Sequence, residues 1–215
     1  MTVPEEFVGT WTRRSISLGG APHTEWEDVV WIQAHEHFVD LRLPRAGGTP
    51  PGGHELPWSF SGTTTWDPPR LTWNHSLDSR CPAGSDAPLP SDHGDVRWRT
   101  GDPSCGELVE TGVFGEVPYE EIWVCRTTPG ACDVLVLERP DGAGRLVRVG
   151  DHSIVVADDR PGGGFIARHD RWDGARWEAV RTLGAAQALP TPPDAGDWVT
   201  RGQAKVSVDR RSGGG

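Results

Sequence analysis

The 215-residue chain carries 31 acids against 21 bases, a formal charge of −10, so it lacks the basic footprint that a nucleic-acid backbone requires, and no nucleic-acid partner is expected. It has neither an 18-residue apolar run nor the charged-then-apolar order of a secretory leader, which points to a soluble cytoplasmic protein with no membrane partner. Its 28 glycines and 19 prolines exclude long helices and separate short Val-, Ile-, Thr- and Trp-rich runs, the pattern of many strands joined by turns.

The first strand is predicted over Phe7 to Ser17, after a turn or one-turn helix at Val3 to Glu6. Within it, Gly9-Thr10-Trp11 pairs a glycine suited to close backbone approach with an aromatic able to plug one end of a barrel. Val29 to Arg45 reads as two strands around a tight turn near Ala34-His35-Glu36. In the second of them Phe38, Asp40 and Arg42 share a face, because successive strand side chains alternate sides. His35 and His37 form a His-x-His pair, but the nearest following acid is Asp40, one or two residues short of the glutamate position in a metal-binding cupin. No metal is therefore expected.

Ala46 to Pro57 is a Gly- and Pro-rich loop, placed to overhang a barrel mouth. Trp58 to Trp66 and Leu71 to Leu77 form a hairpin across Asp67 to Arg70, with Leu71, Trp73, His75 and Leu77 on one face. His75 is a general-base candidate by type and equally a core histidine bonded to its neighbours. A second loop over Cys81 to Asp92 leads to extended structure at His93 to Arg99 and Glu107 to Thr111. In Tyr119 to Cys125, alternation puts Tyr119, Glu121, Trp123 and Cys125 on one face, a carboxylate between two large aromatics. That suits a pocket wall; a core strand with a salt-bridged glutamate is the other reading.

Asp133 to Glu138, Gly144 to Val149, Ser153 to Asp158, Gly164 to Asp170, Arg176 to Leu183 and a closing segment over Asp197 to Val208 are predicted to complete the barrel. Thr182 to Pro193 is read as a short helical turn and an extended crossing, and residues 209–215 as a tail. Gly162-Gly163-Gly164 is a turn without the context of a phosphate loop. Cys81, Cys105, Cys125 and Cys132 lack CxxC spacing, so neither a zinc site nor a disulfide framework is expected.

Gly9-x-Trp11 followed by many short strands resembles the lipocalin, or wider calycin-type, group of up-and-down barrels. The resemblance implies that Trp11 closes the barrel floor and stacks with a late arginine, Arg201 first and Arg181 second. Residues 7 to 126 also resemble a lipocalin-like group of fungal and bacterial proteins, through Trp31, Gln33, Asp40, Arg42, Trp73, Glu110, Tyr119, Glu121 and Trp123. The fold expected is thus all-β, a single antiparallel up-and-down barrel of about 8–10 strands spanning residues 1–208, with little helix. A barrel does not by itself imply a reaction.

No nucleophile elbow, metalloprotease helix, Walker loop or dinucleotide fingerprint is present, and no cofactor is expected. Eleven tryptophans beside one tyrosine and five phenylalanines imply an indole core or an indole-lined cavity. The expected ligand wall comprises Trp31, Gln33, Trp73, Trp123, Trp58 and Phe38, and the chemistry-bearing candidates are Glu121, Glu110, Tyr119, His75, Arg42 and Asp40. Binding of a small apolar or aromatic molecule is the first expectation. The alternative is a cofactor-free cyclase, isomerase or dehydratase, in which Glu121 or Glu110 moves a proton and Tyr119 or Arg42 stabilises developing negative charge. A third possibility is a filled core whose function lies in protein interaction.

Overall fold

The computed structural model describes residues 1–48, 57–81, 88–127, 130–160, 162–185, 189 and 197–208. Eight strands form a closed antiparallel barrel: β1 (Gly9–Leu18), β2 (Glu27–Gln33), β3 (His37–Pro44), β4 (Trp58–Asp67), β5 (Arg70–Asp78), β6 (Ser91–Trp98), β7 (Glu107–Phe114) and β8 (Val117–Cys125). Closure comes from β8 running back along β1, from Trp11 opposite Cys125 to Leu18 opposite Tyr119. The expected all-β, up-and-down antiparallel barrel is present.

The strands after Cys125 do not continue it. β9 (Gly130–Glu138), β10 (Gly144–Val149), β11 (His152–Asp158), β12 (Phe165–Trp172), β13 (Trp177–Leu183) and β14 (Val199–Val208) form a separate six-stranded sheet in the order β13-β12-β11-β10-β9-β14. This corrects the expectation that they complete the barrel. Once β8 pairs with β1, both edges of the first sheet are satisfied and no row of backbone donors is left to receive a ninth strand.

The new sheet covers the outside of the barrel instead. Val30, Ile32, Val39 and Leu41 point outward from β2 and β3 into one apolar seam with Val134, Val136, Val147, Ile154 and Val156. On the other side of the sheet, Val155 packs with Leu137 and Leu146. β11 is therefore covered on both faces, which accounts for its unbroken run Ile154-Val155-Val156-Ala157, all at 0% exposure.

One end of the barrel is closed by aromatics. The 3-10 turn Glu5–Phe7 places Phe7 parallel to Trp98 at 5.4 Å and against Trp66 at 5.1 Å. Trp11 is fully buried, lies 5.8 Å from Trp31, and donates from Nε1 to the Phe7 carbonyl at 2.9 Å. Gly9 is needed beside it, because a Cβ there would meet Thr127 Oγ1 at 3.1 Å and Cys125 Sγ at 3.2 Å. The floor tryptophan is thus in place, but its expected arginine partner is not. Both arginines lie on the second sheet, where Arg201 bonds Glu138 and Arg181 reaches Asp28 of β2, and aromatic rings occupy the position beside Trp11.

A second local correction lies in the β4–β5 hairpin. The register passes from Ser61 opposite Leu77 to Gly62 opposite His75, so Ser76 is the extra residue of a bulge. Leu77 consequently turns out into the seam rather than sharing the inner face with Trp73 and His75. Residues 49–56 and 82–87 of the two expected loops, most of the helical turn expected over Thr182 to Pro193, and the tail from 209 lie outside the described residues; Thr182 and Leu183 belong to β13. Among the described residues no helix is long and apolar enough to cross a membrane.

Candidate functional site

Above the aromatic floor the barrel encloses a cavity of about 170 Å³. Its base is indole: Trp31 meets Trp73 edge-on at 5.5 Å and 84°, and Trp123 at 5.5 Å and 72°. Phe38, Phe60 and Trp58 continue the wall, with Trp58 and Phe60 at 4.3 Å. Strand parity supplies this lining, since Trp31, Phe38, Trp73 and Trp123 occupy inward positions of four different strands. Because the indoles surround space, the filled-core expectation does not describe this barrel. Leu18, Val113 and Phe114 line its outer end, and Val113 and Phe114 are more than half exposed.

Three groups of buried polar side chains stand among the rings. Arg13, on β1, is held by Glu25 at 2.9 Å, Glu27 at 2.7 Å and Glu121 at 2.6 Å, and all four side chains are at most 7% exposed. Burial opposes the guanidinium charge, but Glu121 and Glu25 outweigh it and hold Arg13 above its ordinary value. Arg42 donates to Asp40 at 2.9 Å and lies over Trp58 at 4.9 Å. Burial raises the Asp40 carboxyl and Arg42 offsets part of that rise.

Glu110 forms the third group. Tyr119 Oη lies 2.7 Å from its Oε1 and Trp123 Nε1 donates to its Oε2 at 3.0 Å. Burial, then the nearby Glu121 charge, pushes this carboxyl up to about 8, so it is mostly protonated at neutral pH. Tyr119 is the donor to Oε1 and also reaches the His93 carbonyl at 3.4 Å. Two glycines make room for the pair. A Cβ on Gly94 would lie 2.5 Å from Glu110 Oε1, and one on Gly112 would lie 2.6 Å from the Tyr119 hydroxyl.

Of the residues singled out from the sequence, Glu121, Glu110, Tyr119, Arg42, Asp40, Trp31, Trp73, Trp123, Trp58 and Phe38 line this one cavity. Gln33 does not; it serves the floor, accepting from Trp31 Nε1 at 3.2 Å and Thr64 Oγ1 at 3.0 Å. His75 lies behind Phe60, stacked on it at 4.3 Å, with Nδ1 2.8 Å from Asp78 and Nε2 3.4 Å from Asp92. Burial opposes its charge, yet the bonds to Asp78 and Asp92 raise it above its ordinary value. It stands between two carboxylates behind Phe60 and does not face the cavity. The sequence reading missed Arg13, Glu25 and Glu27, although Arg13 follows Trp11 by two and so shares its inward face.

No group of three or more metal-binding side chains occurs among the described residues. Comparison with curated proteins gives no match. Among solved structures, the chain is similar to a crystal structure of the uncharacterized protein YLR301w from Saccharomyces cerevisiae, with a TM-score of 0.62 and 17% identity over 93% of this chain and 97% of that one. At that identity the likeness speaks to the fold alone. The barrel implied by the lipocalin resemblance is present, while the family model that matches, over residues 10–212, is that of Protein HRI1, and the chain belongs to that family.

Proposed function

We propose that this protein binds a small, compact, largely aromatic molecule inside the barrel, in the lipocalin-like manner of a ligand held within a closed sheet. The observation that carries the reading is the cavity of about 170 Å³ based on Trp31, Trp73 and Trp123. A cavity of roughly 150 Å³ with an apolar lining holds benzene, so the size suits one aromatic ring with a short substituent. Polar groups at fixed positions around such a space orient a ligand, while the rings supply contact area. Titrating tryptophan fluorescence with single-ring and fused-ring compounds tests it: saturable quenching supports binding, and a flat response across the panel refutes it.

A cofactor-free acid-base reaction on the bound molecule is the second reading, favoured by Glu110. A carboxylic acid that titrates at about 8, bonded to a tyrosine at 2.7 Å, is suited to give or take a proton near neutrality. Tyr119 and Arg42 stand near enough to stabilise an oxyanion formed in the cavity. Mass spectrometry of the same mixtures separates the two: turnover abolished in Glu110→Gln supports an enzyme, and unchanged ligand supports a carrier or sensor.

A further inference from the structure

We infer that the ligand of this cavity is an organic cation, a small amine or quaternary ammonium borne on about one aromatic ring. The inference rests on the binding reading above and deepens it.

Two independent features point to positive charge. The first is the shape of the aromatic base. Trp73 and Trp123 each stand steeply to Trp31, at 84° and 72°. Two rings raised against a third make a corner rather than a flat stack, and an onium group seated in a corner meets more than one π surface. Ring faces carry the negative end of the aromatic quadrupole, and tryptophan is the strongest of the three aromatic side chains in this role.

The second feature is charge. The cavity lining holds five carboxylic side chains, Glu27, Asp40, Asp92, Glu110 and Glu121, against three guanidinium groups, Arg13, Arg42 and Arg80. The arginines are already engaged. Arg13 is shared among three carboxylates, Arg42 is held by Asp40, and Arg80 lies over Trp58 at 3.8 Å. Even with Glu110 mostly protonated, Arg13 alone answers three carboxylates, Glu25, Glu27 and Glu121, so the charge around it is negative in sum. Glu121 carries it most directly: it is 5% exposed, lines the cavity, and meets Arg13 through Oε1 at 2.6 Å. A carboxylate on the cavity wall with Trp31 and Trp123, sharing its one cation with two other carboxylates, has charge left to offer a second cation.

Glu110 adds a signature of its own. It is mostly protonated in the empty cavity, and a cation beside it favours its ionised form. Binding below about pH 8 therefore releases protons, and affinity rises as Glu110 ionises. An anionic ligand would behave in the opposite sense, meeting the acids as repulsion and needing an arginine that Asp40 or the Arg13 cluster already holds.

The test compares ligands of one shape and different charge: phenyltrimethylammonium, whose charge does not titrate, against its neutral isostere tert-butylbenzene, with benzoate as the anionic probe. Calorimetry at pH 7 is expected to show the cation bound about tenfold more tightly than the neutral isostere, within the range a desolvated cation–π contact supplies. Its affinity should increase between pH 6 and 9, and Glu121→Gln should narrow the cation-to-neutral ratio. If Glu121→Gln does not fold, the pH dependence in the unaltered protein decides. Equal or tighter binding of tert-butylbenzene, or preference for benzoate, overturns the cation while leaving ligand binding standing. No binding by any of the three overturns both readings.

Discussion

Two carboxylates stand out in the sequence as candidates for the inner face, Glu110 and Glu121, and the environment around each divides their roles. Glu121 faces Arg13 at 2.6 Å, whereas Glu110 has only neutral donors, the Tyr119 hydroxyl and the Trp123 indole. That difference is invisible along the chain, because the partners come from β1 and β8 and meet only once the barrel closes. Glu110 in consequence makes stability depend on pH. An unfolded glutamate gives up its proton near 4.5, while the folded one keeps it to about 8. Between those values the native state holds a proton that the unfolded state lacks, so the penalty this group imposes is absent below the window and grows as pH rises through it. Glu110→Gln keeps a neutral hydrogen-bonding group of the same size beside Tyr119 and Trp123 and removes the titration. Urea unfolding at several pH values is expected to show the variant equal to the parent near pH 4.5 and more stable by on the order of 3 to 5 kcal/mol above pH 8. Parallel curves would show that Glu110 ionises normally. Arg13→Met has the opposite effect: it strands Glu25, Glu27 and Glu121 without their shared cation, a loss of about 3–5 kcal/mol at neutral pH that acidification should reduce.

At the scale of the strand, alternation was the reliable guide. It correctly grouped Tyr119, Glu121 and Trp123, and separately Phe38, Asp40 and Arg42, because β8 pairs with β7, and β3 with β2, without interruption. Alternation fails where the ladder slips, as it does between β4 and β5. The bulge at Ser76 lets His75 and Asp78, three apart, face each other at 2.8 Å, and sends Leu77 outward. Nothing in Leu-Thr-Trp-Asn-His-Ser-Leu-Asp announces the extra residue; its cause lies on the opposite strand. Gly62 has no side chain there, and a Cβ on it would sit 1.7 Å from the Asn74 carbonyl oxygen. Gly62→Ala therefore forces β4 and β5 apart where the bulge forms, and a destabilisation of about 1–3 kcal/mol is expected from the backbone shift alone. Because the same bulge turns Asp78 toward Trp58 Nε1 at 2.9 Å, the variant should also change tryptophan emission in the folded state. A variant with unaltered stability and emission would mean that the hairpin holds its register without the glycine.

On the scale of the whole molecule, the strands after Cys125 were legible one by one, but their destination was not. Barrel closure is a pairing between β1 and β8, at opposite ends of the first half of the chain, and only that pairing decides that β9 must start a second sheet. The sheet then joins the barrel through an apolar seam that also contains a polar bridge. Arg181 on β13 donates to Asp28 of β2 at 2.6 Å and 2.9 Å and to His169 Nδ1 at 3.1 Å. Since arginine only donates, His169 Nδ1 is an acceptor, and the ring's proton sits on Nε2, from which it donates to His152 Nδ1 at 3.0 Å. Adding a second proton to His169 would point an N–H at a guanidinium. Burial first, then His152 and Arg181, accordingly hold this histidine well below its ordinary value of 6.5. The unfolded chain takes up a proton near that pH and the native state does not, so the stability this group contributes is complete above 6.5 and is lost as pH falls below it. Glutamine at position 169 can accept from Arg181 and donate to His152 without titrating. His169→Gln is therefore expected to flatten the fall in urea midpoint between pH 7 and 5, with its largest advantage over the parent at the acid end. An equal slope in both proteins would mean that the seam opens, or that the bridge rearranges, before His169 is protonated.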